Sequence, residues 1–203
     1  LDLLWWQADG ISWLRPTEYF APSWSWASIP NGDLNYVSTR SCVVDEAFEV
    51  LEHDIRLSYP QLQYGPVTSG FLVVQGRVIP EQSLPDLRNG EFYHNSRHID
   101  ISGHDSISIS CSVIPDPGFP DFHSSKNPIL GVCLCWDEKR STIRGILLHR
   151  VGPGCYCRIG IFSIELGVDS HYHDLLFEEW IRTRDAIFKT WRKGLQTAKI
   201  KIV

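Results

Sequence analysis

Alternation of apolar and polar positions dominates the chain, and it predicts strands nearly throughout. Leu51, His53, Ile55 and Leu57 alternate with Glu52, Asp54 and Arg56, the period of a half-buried strand. Phe71 to Ile79 is a second extended run, apolar on both faces at its start and broken at Gly76. Ile107, Ile109, Cys111 and Val113 alternate with serines as a third. Ile129 to Trp136, Ile143 to Val151 and Cys155 to Ile164 read as consecutive antiparallel strands, with Gly152-Pro153-Gly154 turning the chain between the last two. From Leu175 to Trp191 the period changes. Phe177, Trp180, Ile181, Phe188, Trp191 and Leu195 form a helical stripe, with Asp174 as N-cap, Arg192 and Lys193 late and Gly194 at the end. The predicted helix spans 174–194. Lys199 to Val203 alternates again, a last strand whose lysines protect a sheet edge.

Breakers mark the connections. Residues 80–98 are polar with Pro and Gly, and 114–128 are proline-rich; both are expected as surface loops. Residues 1–20 form an irregular N-terminal approach, with a short helix or turn around Leu3 to Gln7. These patterns predict a mainly β single domain over residues 1–203, an antiparallel barrel or sandwich with one C-terminal amphipathic helix packed on it.

The segment Ala21-Pro22-Ser23-Trp24-Ser25-Trp26-Ala27-Ser28 stands apart. Five of the eight tryptophans fall within the first 26 residues. Read as a strand, it places Trp24, Trp26 and Ser28 on one face and Ser23, Ser25 and Ala27 on the other. Asn31-Gly32-Asp33 would then turn it into a hairpin with Leu34 to Ser38. The bulky face points to a core role, the bare one to close approach by another backbone or helix. An exposed sugar-stacking platform is the alternative, but burying an indole removes roughly 150–250 Å² from water, which favours the core.

Charge and cysteine content narrow the class. Nineteen basic and 24 acidic residues leave a formal net charge of −5, so no overall basic field attracts nucleic acid. No run is long enough for a membrane span, and residues 1–6 lack the features of a signal peptide. None of the five asparagines lies in a glycosylation sequon, and six cysteines in a chain this long need not form disulfides, so reduced thiols and a cytoplasmic location are expected. The absence of methionine, even at position 1, is what a piece of a longer protein would show.

Candidate chemistry is sparse. Cys133-Leu134-Cys135 and Cys155-Tyr156-Cys157 place pairs of thiols on neighbouring strands, a conceivable zinc site, although the spacing is shorter than structural zinc favours and buried cysteine is the ordinary alternative. His171 and His173, with Asp169 and Asp174, are a second candidate group, and His94 and His98 a weaker third; histidines solvated beside a helix start and in a loop are the simpler reading of both. No nucleophile elbow, zinc-protease, phosphate-loop or dinucleotide motif is present. No catalytic, cofactor-binding or metal residue is assigned, and a non-enzymatic protein without cofactor is expected. Between Glu178 and Lys201 seven basic residues (Arg182, Arg184, Lys189, Arg192, Lys193, Lys199, Lys201) face three acidic ones (Glu178, Glu179, Asp185), which fits either a membrane-surface helix or a helix packed on the sheet with its charges solvated.

Leu3-Leu4-Trp5-Trp6, Arg15-Pro16 and Ala21 to Ser28 resemble the segment that follows the HET domain in fungal heterokaryon-incompatibility proteins. Tyr64 to Gly70 leading to Leu72 to Gly76, then Gly131 to Trp136, Gly145 to His149 and Arg158 to Phe162, resemble the β-rich remainder in order and rough spacing. Motifs of the HET domain itself, of the kind Ala-Leu-Ser-Tyr-x-Trp-Gly, are absent. The resemblance implies a scaffolding or recognition region whose expected partners are the N-terminal HET domain of the same protein and another incompatibility protein. A carbohydrate- or other ligand-binding β module is the alternative.

Overall fold

The computed structural model describes residues 4, 7–9, 19, 21–28, 33–35, 42–62, 66–84, 95–98, 107–116, 128–137, 141–168 and 177–203. Two short strands, β1 (Gln7–Asp9) and β2 (Asp33–Asn35), pair antiparallel as a small sheet. The main sheet contains β3 (Val43–Val44), β4 (Glu49–Leu57), β5 (Val67–Pro80), β6 (Asn95–His98), β7 (Ile107–Pro115), β8 (Ile129–Asp137), β9 (Thr142–Gly152), β10 (Cys155–Val168) and, after helix α1 (Phe177–Gly194), β11 (Thr197–Ile202). Its order is β11-β5-β8-β9-β10-β7-β6, with β4 beside β5 and β3 beside β8.

The sheet rolls back on itself. Strand β11 pairs antiparallel with β5 and also meets β10 in parallel, Cys155 opposite Lys201 and Tyr156 opposite Ile202. This closure is two residue pairs long, so the body is sandwich-like and not a clean barrel. Two apolar faces result. One carries Leu72, Val74, Val132, Ile146, Leu148, Ile200 and Ile202, with Leu4 and Trp24 added from the N-terminal part. The other carries Val113, Cys133, Ile143, Leu147, Ile159 and Phe162 and is covered by α1 through Phe188, Ile187 and Trp191. The mainly β architecture with one C-terminal helix packed on the sheet therefore holds. With Phe188 at 1% exposure in the core, the helix uses its apolar face against the sheet, as the packed reading expects.

Several local expectations change. Residues 23–28 are not a strand: Trp26–Ser28 is a 3₁₀ turn, and Leu34 pairs with Ala8 instead of with the tryptophan segment. Strand β5 runs unbroken through Gly76, where a Cβ would sit 3.1 Å from Val132 Cγ1 and 3.3 Å from Phe48 Cδ2. That glycine serves close packing, not a break. Asn95–His98, expected as loop, pairs with β7. Strand β11 gains a second neighbour only at Lys201 and Ile202, which meet β10 as well as β5.

Strand β4 forms where alternation predicts it, but it is half-buried neither in degree nor in register. A bulge between Val50 and Glu52 shifts the two-residue repeat, and Val50, Leu51 and Ile55 remain 46%, 40% and 47% exposed.

Candidate functional site

The tryptophan segment folds as it does because its serines serve its own backbone. Ser25 N–H donates to the Pro22 carbonyl at 2.9 Å, Ser28 N–H to the Ser25 carbonyl at 3.0 Å, and Ala27 N–H to Ser25 Oγ at 3.3 Å. Such local bonds offer the chain an alternative to a strand ladder. Ser23 then clamps the turn to the rolled sheet. Its N–H donates to the Val203 carbonyl at 3.3 Å, its hydroxyl donates to that same carbonyl, and the hydroxyl oxygen accepts the Arg158 N–H at 2.9 Å. Val203 N–H in turn reaches the Tyr156 carbonyl at 2.8 Å, so one serine bridges the place where β10 and β11 meet. The small-residue side thus receives another backbone, as its bareness suggests, although hydrogen bonding is the mechanism.

Beside this turn lies an apolar hollow of about 480 Å³. Trp24, Phe48 and Leu72 form much of its wall, the bulged face of β4 supplies Val50 and Ile55, and His53 and Ser25 add polar groups. Pro22 packs over Gly70, where a Cβ would lie 2.5 Å from Pro22 Cγ. Trp24 is 8% exposed, which is incompatible with an open stacking platform. The Trp26 side chain lies outside the described residues.

A buried charge cluster anchors the opposite side. Asp45 N–H donates to the Leu134 carbonyl at 3.0 Å and Asp45 Oδ1 accepts Ala47 N–H at 2.9 Å, which fixes the turn between β3 and β4. Asp45, 1% exposed, pairs with Arg77 of β5 and, at 3.1 Å, with Arg192 in the last turn of α1. Glu46 joins both arginines, at 2.9 Å to Arg77 and 2.8 Å to Arg192. The Arg192 guanidinium also lies 4.2 Å from the Trp136 ring centroid. Burial pushes the Glu46 carboxyl up, but a backbone hydrogen bond and the two arginines outweigh it and leave the group below the ordinary carboxylate range. Burial likewise opposes the Arg77 charge, and Asp45 and Glu46 more than restore it. Two acids and two arginines pair with one another here, with Arg192 Nε left without a hydrogen-bond partner, so the arrangement joins a turn, a strand and a helix end. A second buried pair, Arg158 with Asp116 at 3.0 Å, lies near the Ser23 clamp.

The proposed thiol quartet does not assemble. Cys133 is level with Gly145 and Phe162 across β9 and β10, whereas Cys157 is level with His149 and Ile129, several residue rows away. A bulge between Cys133 and Cys135 also breaks their common repeat. Burial pushes both thiols up, Cys135 to about 12. Among the described residues no group of three or more His, Cys, Asp and Glu side chains is placed to hold a metal ion. His94, Asp169, His171, His173 and Asp174 lie outside the described residues, and His98 is on β6 opposite Ser108. No helix among the described residues is long and apolar enough to cross a membrane.

Sequence reading missed the ion cluster and the hollow. Arg192 and Asp45 are 147 residues apart, and no local pattern signals such a pair. Compared with known proteins, the chain matches no protein-family model, no curated protein and no solved structure.

Proposed function

We propose that this chain is a non-catalytic, β-rich region of a fungal HET-type incompatibility protein, acting in the cytoplasm as the scaffold or regulator of an adjacent HET domain and contributing to non-self recognition that ends in cell death. The observation that carries the reading is the pairing of the family-like motif with an exposed apolar surface. The segment Ala21 to Ser28, which holds the resemblance, walls a hollow of about 480 Å³ whose β4 rim leaves Val50 and Ile55 46% and 47% exposed. Exposed apolar residues around a concavity are the usual mark of a protein-facing surface. The test is hydrogen exchange on this chain alone and joined to the HET domain of its full-length protein. Slower exchange across 49–57 in the joined form is expected, together with no hydrolase or nucleotide turnover by the chain alone. Identical exchange in both forms, or robust turnover, would overturn the reading.

The hollow also favours a second reading, a module that binds a small apolar ligand. Its volume falls in the range of ligand pockets, roughly 300–1,000 Å³, and its wall is apolar, unlike a sugar-stacking face. Saturable quenching of tryptophan emission by an apolar probe, abolished by Leu72→Trp, supports that reading; no quenching up to the solubility limit excludes it.

A further inference from the structure

We propose that Cys42 and Cys135 form a peroxide-sensitive dithiol, an oxidative modification site that staples the turn holding the ion cluster onto the sheet. The geometry brings three groups from three chain segments together. Val44 of β3 lies opposite Cys135 of β8, so Cys42, two residues before Val44, is the diagonal neighbour of Cys135. Cys135 in turn lies opposite Arg144 of β9, and an Arg144 Nη1–H donates to Cys42 Sγ at 3.4 Å.

Their environments divide the chemistry. Cys42 is partly exposed, with the Arg144 guanidinium at its sulfur, so it is the thiol of the two that a peroxide reaches. Cys135, 1% exposed, is kept a neutral thiol by burial. The Cys42 sulfur attacks one peroxide oxygen, the O–O bond breaks, and a sulfenic acid and one water form. The Cys135 sulfur then attacks the sulfenic sulfur, loses its proton to the departing hydroxyl, and a second water leaves. Two thiols and one peroxide thus give one disulfide and two waters, and a thiol reductant reverses the change.

The bond has a structural consequence. Cys42 sits three residues before Asp45, which binds Arg77 and Arg192, so the disulfide ties that anchor covalently to β8. The other cysteines lie elsewhere in the fold. Cys111 and Cys133 are buried in the helix-covered core, and Cys155 and Cys157 lie at the far end of β10.

The experiment treats the reduced, purified chain with stoichiometric hydrogen peroxide, blocks remaining thiols with an alkylating agent and maps the unreduced digest by mass spectrometry. A single cross-link between the peptides carrying Cys42 and Cys135 is expected. It should persist in Cys133→Ser, vanish in Cys42→Ser and in Cys135→Ser, and form several-fold more slowly in Arg144→Gln. The oxidised protein should melt roughly 5 °C or more above the reduced one, because the bond closes a long loop. Peroxide that leaves all six thiols alkylatable, drives Cys42 to sulfinic acid without a cross-link, or links Cys42 to another cysteine would overturn the assignment.

Discussion

Arg192 of α1 and Asp45, 147 residues earlier in the chain, pair at 3.1 Å in a site where their side chains are 5% and 1% exposed. A buried ion pair offers little net stability over a well-packed apolar replacement, yet removing one partner leaves a buried charge unmatched. Asp45→Asn takes the buried partner from two arginines at once, leaving them only the exposed Glu46 carboxylate, and should cost about 3–5 kcal/mol, read from the urea unfolding midpoint. Glu46 binds the same arginines from a side chain 54% exposed, where water screens the pair. Glu46→Gln should therefore cost less than about 1 kcal/mol. Equal losses for the two variants would show that burial is not what separates them.

The Ser23 clamp and the Trp24 indole hold the same turn by different forces. Ser23→Ala removes the acceptor of the Arg158 N–H and a donor to Val203, and should cost about 1–3 kcal/mol through groups left unsatisfied. Trp24→Ala empties a site 8% exposed and should cost about 3–5 kcal/mol by the same unfolding measurement. A Trp24→Ala protein of unchanged stability that had lost ligand binding would assign the indole to recognition instead of the core.

Two glycines should respond in opposite ways. At Gly145 a Cβ would lie 2.1 Å from the Val132 carbonyl oxygen and 2.5 Å from Phe162 Cζ, so Gly145→Ala must displace both a strand and a core ring. A loss of at least about 3 kcal/mol, or failure to fold, is expected. Gly194, at the end of α1, has nothing within 4 Å of the same position. Gly194→Ala should be neutral or stabilising by up to about 1 kcal/mol. Thermal melts of the two variants check both outcomes.

Acid should weaken the fold in two stages. Burial lowers His149 from its ordinary value of 6.5, with Glu81 opposing, so the folded state disfavours the charged ring. Its contribution is present above pH 6.5 and is lost as pH falls through the lower folded value. Glu46 is lowered from 4.5, so its contribution is present above that value and is lost below it. Unfolding midpoints measured from pH 7 to pH 3 should fall in both windows. His149→Gln should flatten the first and Glu46→Gln the second; a profile unchanged by either substitution would remove these groups as the cause.

The sequence by itself determined the elements whose signal is local. Strands β8, β9 and β10, the turn at Gly152 to Gly154, where Gly154 has φ +68°, and helix α1 all follow from periods of two and 3.6 with turn residues between them. Tertiary structure decided the rest. The tryptophan segment carries a strand's alternation, but its serines bond to their own backbone and to Val203, an option invisible until the C-terminal strand is in place. The lysines of β11 read as edge protection, yet the rolled sheet gives Lys201 a second neighbouring strand, since alternation reports which side chains face outward and not how many strands lie beside them. The bulge in β4 moved Val50 into the hollow and left Leu51 outside it, a one-residue slip that composition does not encode. The ion cluster and the juxtaposition of Cys42, Cys135 and Arg144 each join residues dozens of positions apart, because such groups meet only after strand register has been set.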